Sequence, residues 1–340
     1  MNDRVIDSAP SLQLSFEPSR YDVIWGCFAS SRERERRGPK LTALFPSRTM
    51  YPKVDAVIIR IVLIILSALV IVSLWGFYVS IRPPKIISSL TPRDLNMNYE
   101  DVSFKTADGL TLHGWYIPSS NKTEKTLILL HGYPADKGNI LPALAFLHDQ
   151  FNLLLFDFRY LGKSEGSYST AGAKEVEDLL AAVEFLKKRG VKEVGVWGFS
   201  MGGAVALMAI EKAPAIRAIV SESSYSSLAD MALELMRIPV LNYPMAYLVG
   251  FWAKLFLGID LRDASPANRI RNTKIPILLI HSSADAVIPF SHARHLQQAL
   301  AKNPNAEFWF HENFAHGQLA PEHQTRVKNF FLKHLPEKAT

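Results

Sequence analysis

The chain contains 340 residues, of which 48% are hydrophobic and 21% are charged. This composition excludes a wholly disordered chain and a highly charged coiled coil. The formal net charge is +6, and no stripe of Lys and Arg with interleaved aromatic residues is present, so we expect no nucleic-acid partner. Cys27 is the only cysteine, which excludes a disulfide within the chain and leaves the cellular compartment open.

The first part of the chain carries little that could form a core. Residues 1–49 show no sustained period of 2 or 3.6, and residues 31–38 (SRERERRG) form a mixed-charge block. We therefore expect residues 1–55 to be a disordered extension. A second interpretation is that residues 1–49 do not belong to the natural product, because Met50 and the residues after it lead directly into an apolar run, as a genuine start often does.

That uncharged apolar run occupies residues 61–80 (IVLIILSALVIVSLWGFYVS). At about 1.5 Å per residue, a helix of this length reaches about 30 Å, the thickness of the hydrocarbon core of a bilayer. The run is longer than the apolar part of a cleaved signal peptide, about 7 to 15 residues. A buried core helix would need protein around its whole circumference. The sequence therefore predicts a transmembrane anchor at residues 56–81, followed by a stiff linker at residues 82–97.

Basic residues near the anchor do not decide its orientation, because each side carries three within about twenty residues. These are Arg48, Lys53 and Arg60 before the anchor, and Arg82, Lys85 and Arg93 after it. Further basic residues lie on the N-terminal side at Arg32, Arg34, Arg36, Arg37 and Lys40. We therefore expect a single-pass membrane protein with a cytoplasmic N-terminus and a large domain outside.

Short apolar runs alternate with helical patterns after the linker. Asp108-Gly109 is a two-residue turn signal that predicts an antiparallel hairpin. Apolar runs follow at residues 126–130, 153–158, 194–197, 216–220, 275–280 and 307–310. Helical periodicity appears at residues 138–149, 174–188, 201–212, 291–301 and 322–334. We predict an α/β fold over residues 98–336, with a mostly parallel sheet, helices on both faces and an insertion at residues 223–265.

A candidate nucleophile follows the strand at residues 194–197. Gly198-Phe199-Ser200-Met201-Gly202 has the pattern of a nucleophile elbow, in which glycines permit a strained strand-to-helix turn that exposes the serine oxygen. A second match, Gly162 to Gly166 around Ser164, runs into a polar segment with no helix directly after it. We therefore predict Ser200 as the nucleophile and interpret Ser164 as part of a polar loop.

A serine nucleophile needs a base, and the base needs an orienting carboxylate. In sheets of this kind the chain order is serine, then acid, then histidine. Asp285 follows the strand at residues 275–280, and we favour it over Glu222, which ends the preceding strand. His316 lies in the loop after the last strand, and we favour it over His311, which ends that strand.

The loop after the strand at residues 126–130 begins His131-Gly132-Tyr133-Pro134. This loop and the residue after the nucleophile commonly supply the two amides that stabilise an oxyanion. The backbone N–H groups of Tyr133 and Met201 are therefore the predicted oxyanion hole, and we expect His131 to shape the loop rather than to act as a base.

These elements in this order resemble the α/β-hydrolase family, and the likeness covers residues 98–336. The sequence is similar to membrane-anchored bacterial hydrolases of the serine aminopeptidase-like and esterase/lipase-like types. The segment from Asp157 to Ser164 (DFRYLGKS) is also similar to a D-x-R-G-x-G-x-S loop of the family. Two departures are Tyr160, where a glycine is usual and where we expect a narrower pocket, and Ser282, also at a usual glycine. The resemblance implies an α/β-hydrolase fold with a small lid insertion and acyl-group hydrolysis that requires no metal or cofactor.

Three hypotheses for function follow from this. The favoured one is hydrolysis of carboxylic esters, with a small-molecule or lipid ester as substrate and an acyl-enzyme on Ser200. A serine peptidase of aminopeptidase or prolyl type would need an acid to hold the substrate amine, for which Glu222 is the nearby candidate. A non-catalytic membrane scaffold is disfavoured because no triad member is missing.

The insertion at residues 223–265 is where this fold commonly carries a lid, and it is nearly uncharged. It either packs an apolar face on the core or supplies residues that line an acyl-chain pocket or dip into the membrane interface beside the anchor. The residues predicted for the second role are Met231, Leu235, Met236, Met245, Phe251 and Trp252. The oligomeric state stays open.

Overall fold

A computed structural model of the chain describes residues 52–235 and 241–335. The α-helices are α1 (Pro52–Ile81), α2 (Lys137–Leu144), α3 (Glu175–Lys188), α4 (Met201–Met208), α5 (Leu228–Leu235), α6 (Asn242–Leu257), α7 (Pro266–Arg269), α8 (Phe290–Ala299) and α9 (His323–His334). The strands are β1 (Glu100–Lys105), β2 (Thr111–Ile117), β3 (Thr126–Leu130), β4 (Asn152–Phe156), β5 (Val194–Phe199), β6 (Ile216–Glu222), β7 (Ile277–Ser282) and β8 (Ala306–His311).

The strands form one sheet in the order β1-β2-β4-β3-β5-β6-β7-β8. Strand β2 is antiparallel to both β1 and β4, and every pair from β4 to β8 is parallel. The predicted mostly parallel α/β sheet is confirmed. The predicted antiparallel hairpin is present. Residues 106–110 connect its strands, where Thr106 N–H donates to Leu110 O, and Thr106 Oγ1 accepts from Leu110 N–H and bonds Asp108.

Helices cover both faces of this sheet. Residues of α3, α4 and α8 pack in one apolar cluster, and residues of α2 and α9 pack in the other. All five residues of β3 are buried, as expected for a parallel strand enclosed on both sides. The carboxyl ends of β3, β5, β6, β7 and β8 meet at one edge of the sheet, which is the edge where ligands bind in folds of this kind.

Helix α1 is long and apolar enough to cross a membrane over residues 54–81, by length and composition. Only 6% of its most apolar window is buried, so the described residues do not enclose it as they would a core helix. The helix begins at Pro52, ahead of the predicted boundary at residue 56. Of the predicted disordered extension at residues 1–55, residues 1–51 lie outside the described residues and residues 52–55 belong to α1.

The linker after α1 is seated on the large domain by side-chain contacts. Lys85 Nζ donates to Ser164 O at 3.2 Å, and Ser88 N and Oγ donate to the Asp136 carboxylate at 2.7 and 2.6 Å. Ser169 N also donates to Ile81 O at 2.9 Å, at the last residue of α1. The end of α1 is therefore fixed against the loops that follow β3 and β4.

Candidate active site

Ser200 lies between the end of β5 and the start of α4, in a backbone conformation that L-residues rarely adopt (φ 53°, ψ −116°). Its N–H donates to Glu222 O at 2.8 Å, which joins the turn to the end of β6. A Cβ at Gly202 would lie 2.5 Å from Leu130 O, so only glycine fits where α4 crosses β3. The turn is strained and tightly enclosed, as a nucleophile elbow requires.

Asp285 and His316 form a close pair in the loops after β7 and β8. Asp285 Oδ2 accepts from His316 Nδ1 at 2.7 Å, while Asp285 Oδ1 accepts from the N–H groups of Val287 and Ile288 at 2.9 and 2.8 Å. Burial alone would raise the pKa of Asp285, but the hydrogen bonds from His316 and the two amides lower it below its ordinary value. Asp285 is therefore an ionised acceptor that orients the imidazole with Nε2 away from the carboxylate.

The imidazole of His316 lies against the elbow. Its ring centroid is 4.7 Å from that of Phe199, the residue before Ser200, and a Cβ at Gly317 would contact the same phenyl ring at 3.1 Å. Within the described parts of the chain, no hydrogen bond joins Ser200 Oγ to His316. Catalytic hydrogen bonds are often long before a substrate is bound, so the absence of this bond does not argue against the pair.

The loop after β3 closes the other side of Ser200. A Cβ at Gly132 would lie 3.2 Å from Ser200 Cβ, so the chain passes beside the nucleophile. His131 is fully buried; its Nε2 accepts from Phe158 N at 3.0 Å and its Nδ1 lies 2.7 Å from Gly132 O. Burial lowers the pKa of His131, which keeps the ring neutral, and these contacts fit the predicted loop-shaping role.

The backbone N–H groups of Tyr133 and Met201 flank this space. Among the described residues, no backbone carbonyl accepts from either amide. The Met201 N–H belongs to the first turn of α4, where amides lack a partner within the helix and favour negative charge. Neither amide is therefore committed to a backbone acceptor in the described part of the chain, which is compatible with the predicted oxyanion hole.

The residues that the sequence disfavoured have other partners. Ser164 is buried, donates to Asp157 O at 2.6 Å and accepts from His113 N at 3.0 Å. Glu222 is buried and its Oε2 lies 2.8 Å from His323 Nε2. These contacts give Ser164 a structural role and occupy the Glu222 carboxylate. The sequence pattern does not indicate the partner of Glu222, because His323 is 101 residues away in the chain.

The two departures from the family pattern both make contacts. Tyr160 has a positive φ of 68°, which explains why glycine is usual there, and its hydroxyl donates to Pro83 O at 2.9 Å. Tyr160 therefore holds the linker through this hydrogen bond. The Lys85 ammonium, also in the linker, lies over the Tyr160 ring. Ser282 Oγ accepts from Ala284 N at 3.2 Å and from Phe314 N at 3.1 Å. It thereby joins the loop of Asp285 to the loop of His316.

The predicted lid contains α5 and α6, and the five proposed substrate residues that the structure describes differ in their surroundings. Met231 and Met245 are buried, whereas Leu235 and Phe251 are exposed. Trp252 Nε1 donates to Ser73 Oγ of α1 at 3.0 Å. Met236 lies outside the described residues. A cavity of about 700 Å³ between α5, α7 and α8 is lined by other residues, including Ser226, Arg262 and His295, so the acyl-chain pocket stays a prediction.

Comparison with known proteins agrees with this architecture. The sequence profile of the alpha/beta hydrolase fold family matches residues 125–248. The uncharacterized protein YfhR of Escherichia coli K12 is 32% identical over 216 residues, which are 60% of this chain and 69% of YfhR. The alpha/beta hydrolase domain-containing protein WAV2 of Arabidopsis thaliana is 28% identical over 232 residues, which are 64% of this chain and 72% of WAV2.

Among solved structures, the esterase Pf2001 of Pyrococcus furiosus superimposes with a TM-score of 0.62 and 30% sequence identity, over 74% of this chain and 99% of the esterase. The fold, the profile match and these relatives define a hydrolase. The chain belongs to the α/β-hydrolase family.

Proposed function

We propose that the protein is a membrane-anchored serine hydrolase that cleaves carboxylic esters through a triad of Ser200, Asp285 and His316. The observation that carries this proposal is the 2.7 Å contact between Asp285 and His316, with the imidazole packed beside the strained turn of Ser200. An oriented base next to an exposed serine oxygen is the arrangement that nucleophilic catalysis needs.

The proposed reaction has two halves. Ser200 Oγ attacks the ester carbonyl carbon while His316 Nε2 accepts the hydroxyl proton, and the Tyr133 and Met201 amides stabilise the oxyanion. The tetrahedral intermediate collapses, the alcohol leaves with the proton from His316, and an acyl-enzyme remains on Ser200. Water then gives its proton to His316, attacks the acyl carbon and releases the acid with Ser200 restored. Asp285 orients His316 and stabilises its charged form throughout.

Two observations favour esters over peptides. The esterase Pf2001 is 30% identical over almost its whole length. Glu222, the candidate for holding a substrate amine, is buried and paired with His323 at 2.8 Å. A substrate amine that binds Glu222 would have to displace His323 and lose its own hydration. Both steps cost free energy, and the binding of an ester needs neither.

The contacts of α1 favour a retained anchor over a cleaved signal sequence. Ser73 and Phe77 of α1 are buried, and Trp252 and Phe256 of α6 are in contact with them. Removal of the helix would expose these partners to water. We propose, from the basic residues of the N-terminal side, that the catalytic domain faces outward; protease added to intact cells should then cut it, and protection until lysis would reverse the orientation.

A fluorophosphonate probe tests the enzyme proposal, because it reacts with an activated serine. Full-length protein in detergent should be labelled with a stoichiometry near one. Ser200→Ala should not be labelled, and Ser164→Ala should be labelled like the wild type. Folded wild-type protein that stays unlabelled would favour the scaffold hypothesis.

A further inference from the structure

One face of α6 carries a row of large apolar side chains. Tyr243, Tyr247, Phe251 and Leu255 follow one another at intervals of four residues, so they lie along the same side of the helix. Their exposed fractions are 61, 78, 54 and 59%. We call these four residues the aromatic stripe. The opposite side of α6 packs on the domain through Met245, Ala246 and Ala253, which are buried.

Helix α6 is also joined to α1. Trp252 Nε1 donates to Ser73 Oγ at 3.0 Å, and the rings of Phe256 and Phe77 stack with centroids 6.2 Å apart. Ser73 and Phe77 are one turn apart and buried, whereas most of the apolar side chains before them on α1 are exposed. The ring of Phe251 lies 4.9 Å, centroid to centroid, from that of Trp252, so the aromatic stripe adjoins the contact with α1.

The contact lies well inside the apolar length of α1. Ser73 precedes Ile81, the last residue of α1, by eight residues, which corresponds to about 12 Å along the helix axis. The uncharged run between Arg60 and Arg82 is 21 residues, close to the roughly 20 residues that fill a hydrocarbon core. If this run spans the core, Ser73 lies below the level of the headgroups. If the core lies nearer to Val54, Ser73 still lies at the interface.

We propose that the aromatic stripe of α6 is inserted into the interface of the same bilayer that α1 crosses. The partner is the lipid at the boundary of headgroups and acyl chains, where Tyr and other amphipathic rings are favoured. Lys254, which is largely exposed beside the stripe and whose ammonium lies 3.9 Å from Asp260 Oδ2, can exchange this weak contact for the phosphates while its methylene chain stays in apolar surroundings. The inference rests on the proposed membrane anchoring.

A lid held in the interface has a consequence for the substrate. Met231 of α5 belongs to the same buried cluster as Met201, which follows the nucleophile, and α5 and α6 pack together in the lid. The lid that bears the stripe is therefore joined, through α5, to the buried cluster that includes the residue after the proposed nucleophile. The substrate class that this arrangement fits is an ester dissolved in the membrane, which reaches Ser200 from the lipid rather than from water.

Site-directed fluorescence in lipid vesicles tests the proposal. Cys27, the only cysteine, is replaced by serine, and single cysteines are introduced as Tyr247→Cys, Phe251→Cys, Ile64→Cys or Lys187→Cys. Each full-length variant is labelled with an environment-sensitive nitrobenzoxadiazole dye and reconstituted in phosphatidylcholine vesicles with or without spin-labelled lipid. Ile64 lies mid-way along α1 and is exposed, and Lys187 is exposed on α3, so they are the membrane and water controls.

We expect spin-labelled lipid to quench the dye at positions 64, 247 and 251 by at least about half, and to leave position 187 unchanged. Quenching at 64 without quenching at 247 and 251 would overturn the inference while leaving the anchor intact. An unquenched position 64 would instead overturn the membrane anchoring on which the inference rests.

A kinetic comparison gives a second readout that does not need the label. The double variant Tyr243→Ser, Tyr247→Ser should hydrolyse a water-soluble short ester at the wild-type rate, because both side chains are exposed and neither belongs to the predicted catalytic or substrate-binding residues. Its rate on a long-chain ester embedded in vesicles should fall at least about tenfold. Equal rates of variant and wild type on the embedded ester would contradict the proposal.

Discussion

The hydroxyl of Tyr133 donates a 2.6 Å hydrogen bond to the carbonyl oxygen of Ser80. Tyr133 belongs to the loop that passes beside Ser200, and Ser80 belongs to the last turn of α1. The proposed oxyanion loop is therefore attached directly to the proposed membrane anchor. Burial raises the pKa of Tyr133 to about 12, so the hydroxyl stays protonated and remains a donor at any physiological pH.

This contact predicts the effect of Tyr133→Phe, which keeps the backbone amide and the ring. One net hydrogen bond contributes about 1 kcal/mol, so a loosened loop should lower kcat for a soluble ester roughly fivefold, with a smaller change in KM. Tyr160→Phe is the matched control, because it also removes a hydroxyl that holds the linker. Steady-state kinetics provide the measurement. Equal losses of kcat in the two variants would contradict a positioning role for Tyr133.

The two serine motifs predict opposite outcomes when each serine is removed. Ser200→Ala should lower kcat by several orders of magnitude, and His316→Ala should do the same, because triad members act as a unit. Ser164→Ala breaks two buried hydrogen bonds and should lower the free energy of unfolding by about 1 to 3 kcal/mol. The activity of its folded fraction should stay near that of the wild type. A loss of kcat comparable with that of Ser200→Ala would show that the wrong elbow was chosen.

The titration of His292 should make the free energy of unfolding depend on pH. Burial lowers the pKa of this imidazole to about 4, whereas an unfolded histidine titrates near about 6.5. Between these values the unfolded chain binds a proton that the folded protein does not, so stability is unaffected above about pH 6.5 and falls as the pH decreases. At pH 5 the loss from this one group is about 2 kcal/mol.

His292→Asn is the variant that isolates this effect. The asparagine oxygen can replace Nδ1 as the acceptor of the Ser226 N–H but does not titrate. The melting temperature in detergent should therefore fall less between pH 7 and pH 5 in the variant than in the wild type. Buried His131 and His281 also have lowered pKa values, so some dependence remains. Identical slopes for variant and wild type would refute the assignment to His292.

Chain-length preference tests the proposed acyl substrate. Each buried methylene contributes about 0.8 kcal/mol, so four additional carbons in a fitted site could raise kcat/KM by up to about two orders of magnitude. We expect p-nitrophenyl octanoate to exceed the acetate in kcat/KM, and both to exceed aminoacyl-p-nitroanilides. A flat profile would remove the acyl-chain pocket but keep the esterase, and faster cleavage of an anilide would place the peptidase first.

Much of the fold was predictable because parallel strands and amphipathic helices have distinct periodicities. The apolar runs at residues 126–130 and 194–197 predicted β3 and β5, and β5 extends two residues further, to Phe199, where the predicted turn before α4 begins. The Asp285 and His316 side chains were singled out by their order along the chain alone. Their 2.7 Å separation required the structure.

Contacts between distant segments could not be predicted from the sequence, because they leave no periodic signal. Trp252 and Ser73 are 179 residues apart, and nothing in either segment marks them as partners. The hydrogen bond from the Tyr160 hydroxyl to Pro83 O was not predicted, because the course of the linker cannot be read from composition. For the same reason the six lid residues were grouped by their apolar character, although the structure separates buried Met245 from exposed Phe251.

The covalent intermediate is the most direct test of the central proposal. Full-length protein is mixed with p-nitrophenyl octanoate, quenched in acid within the first turnover, digested and analysed by mass spectrometry. We predict one octanoyl group on the peptide that contains Ser200, and none on that peptide in Ser200→Ala. Ester hydrolysis with no acyl group on Ser200, or with the group on Ser164, would contradict the account.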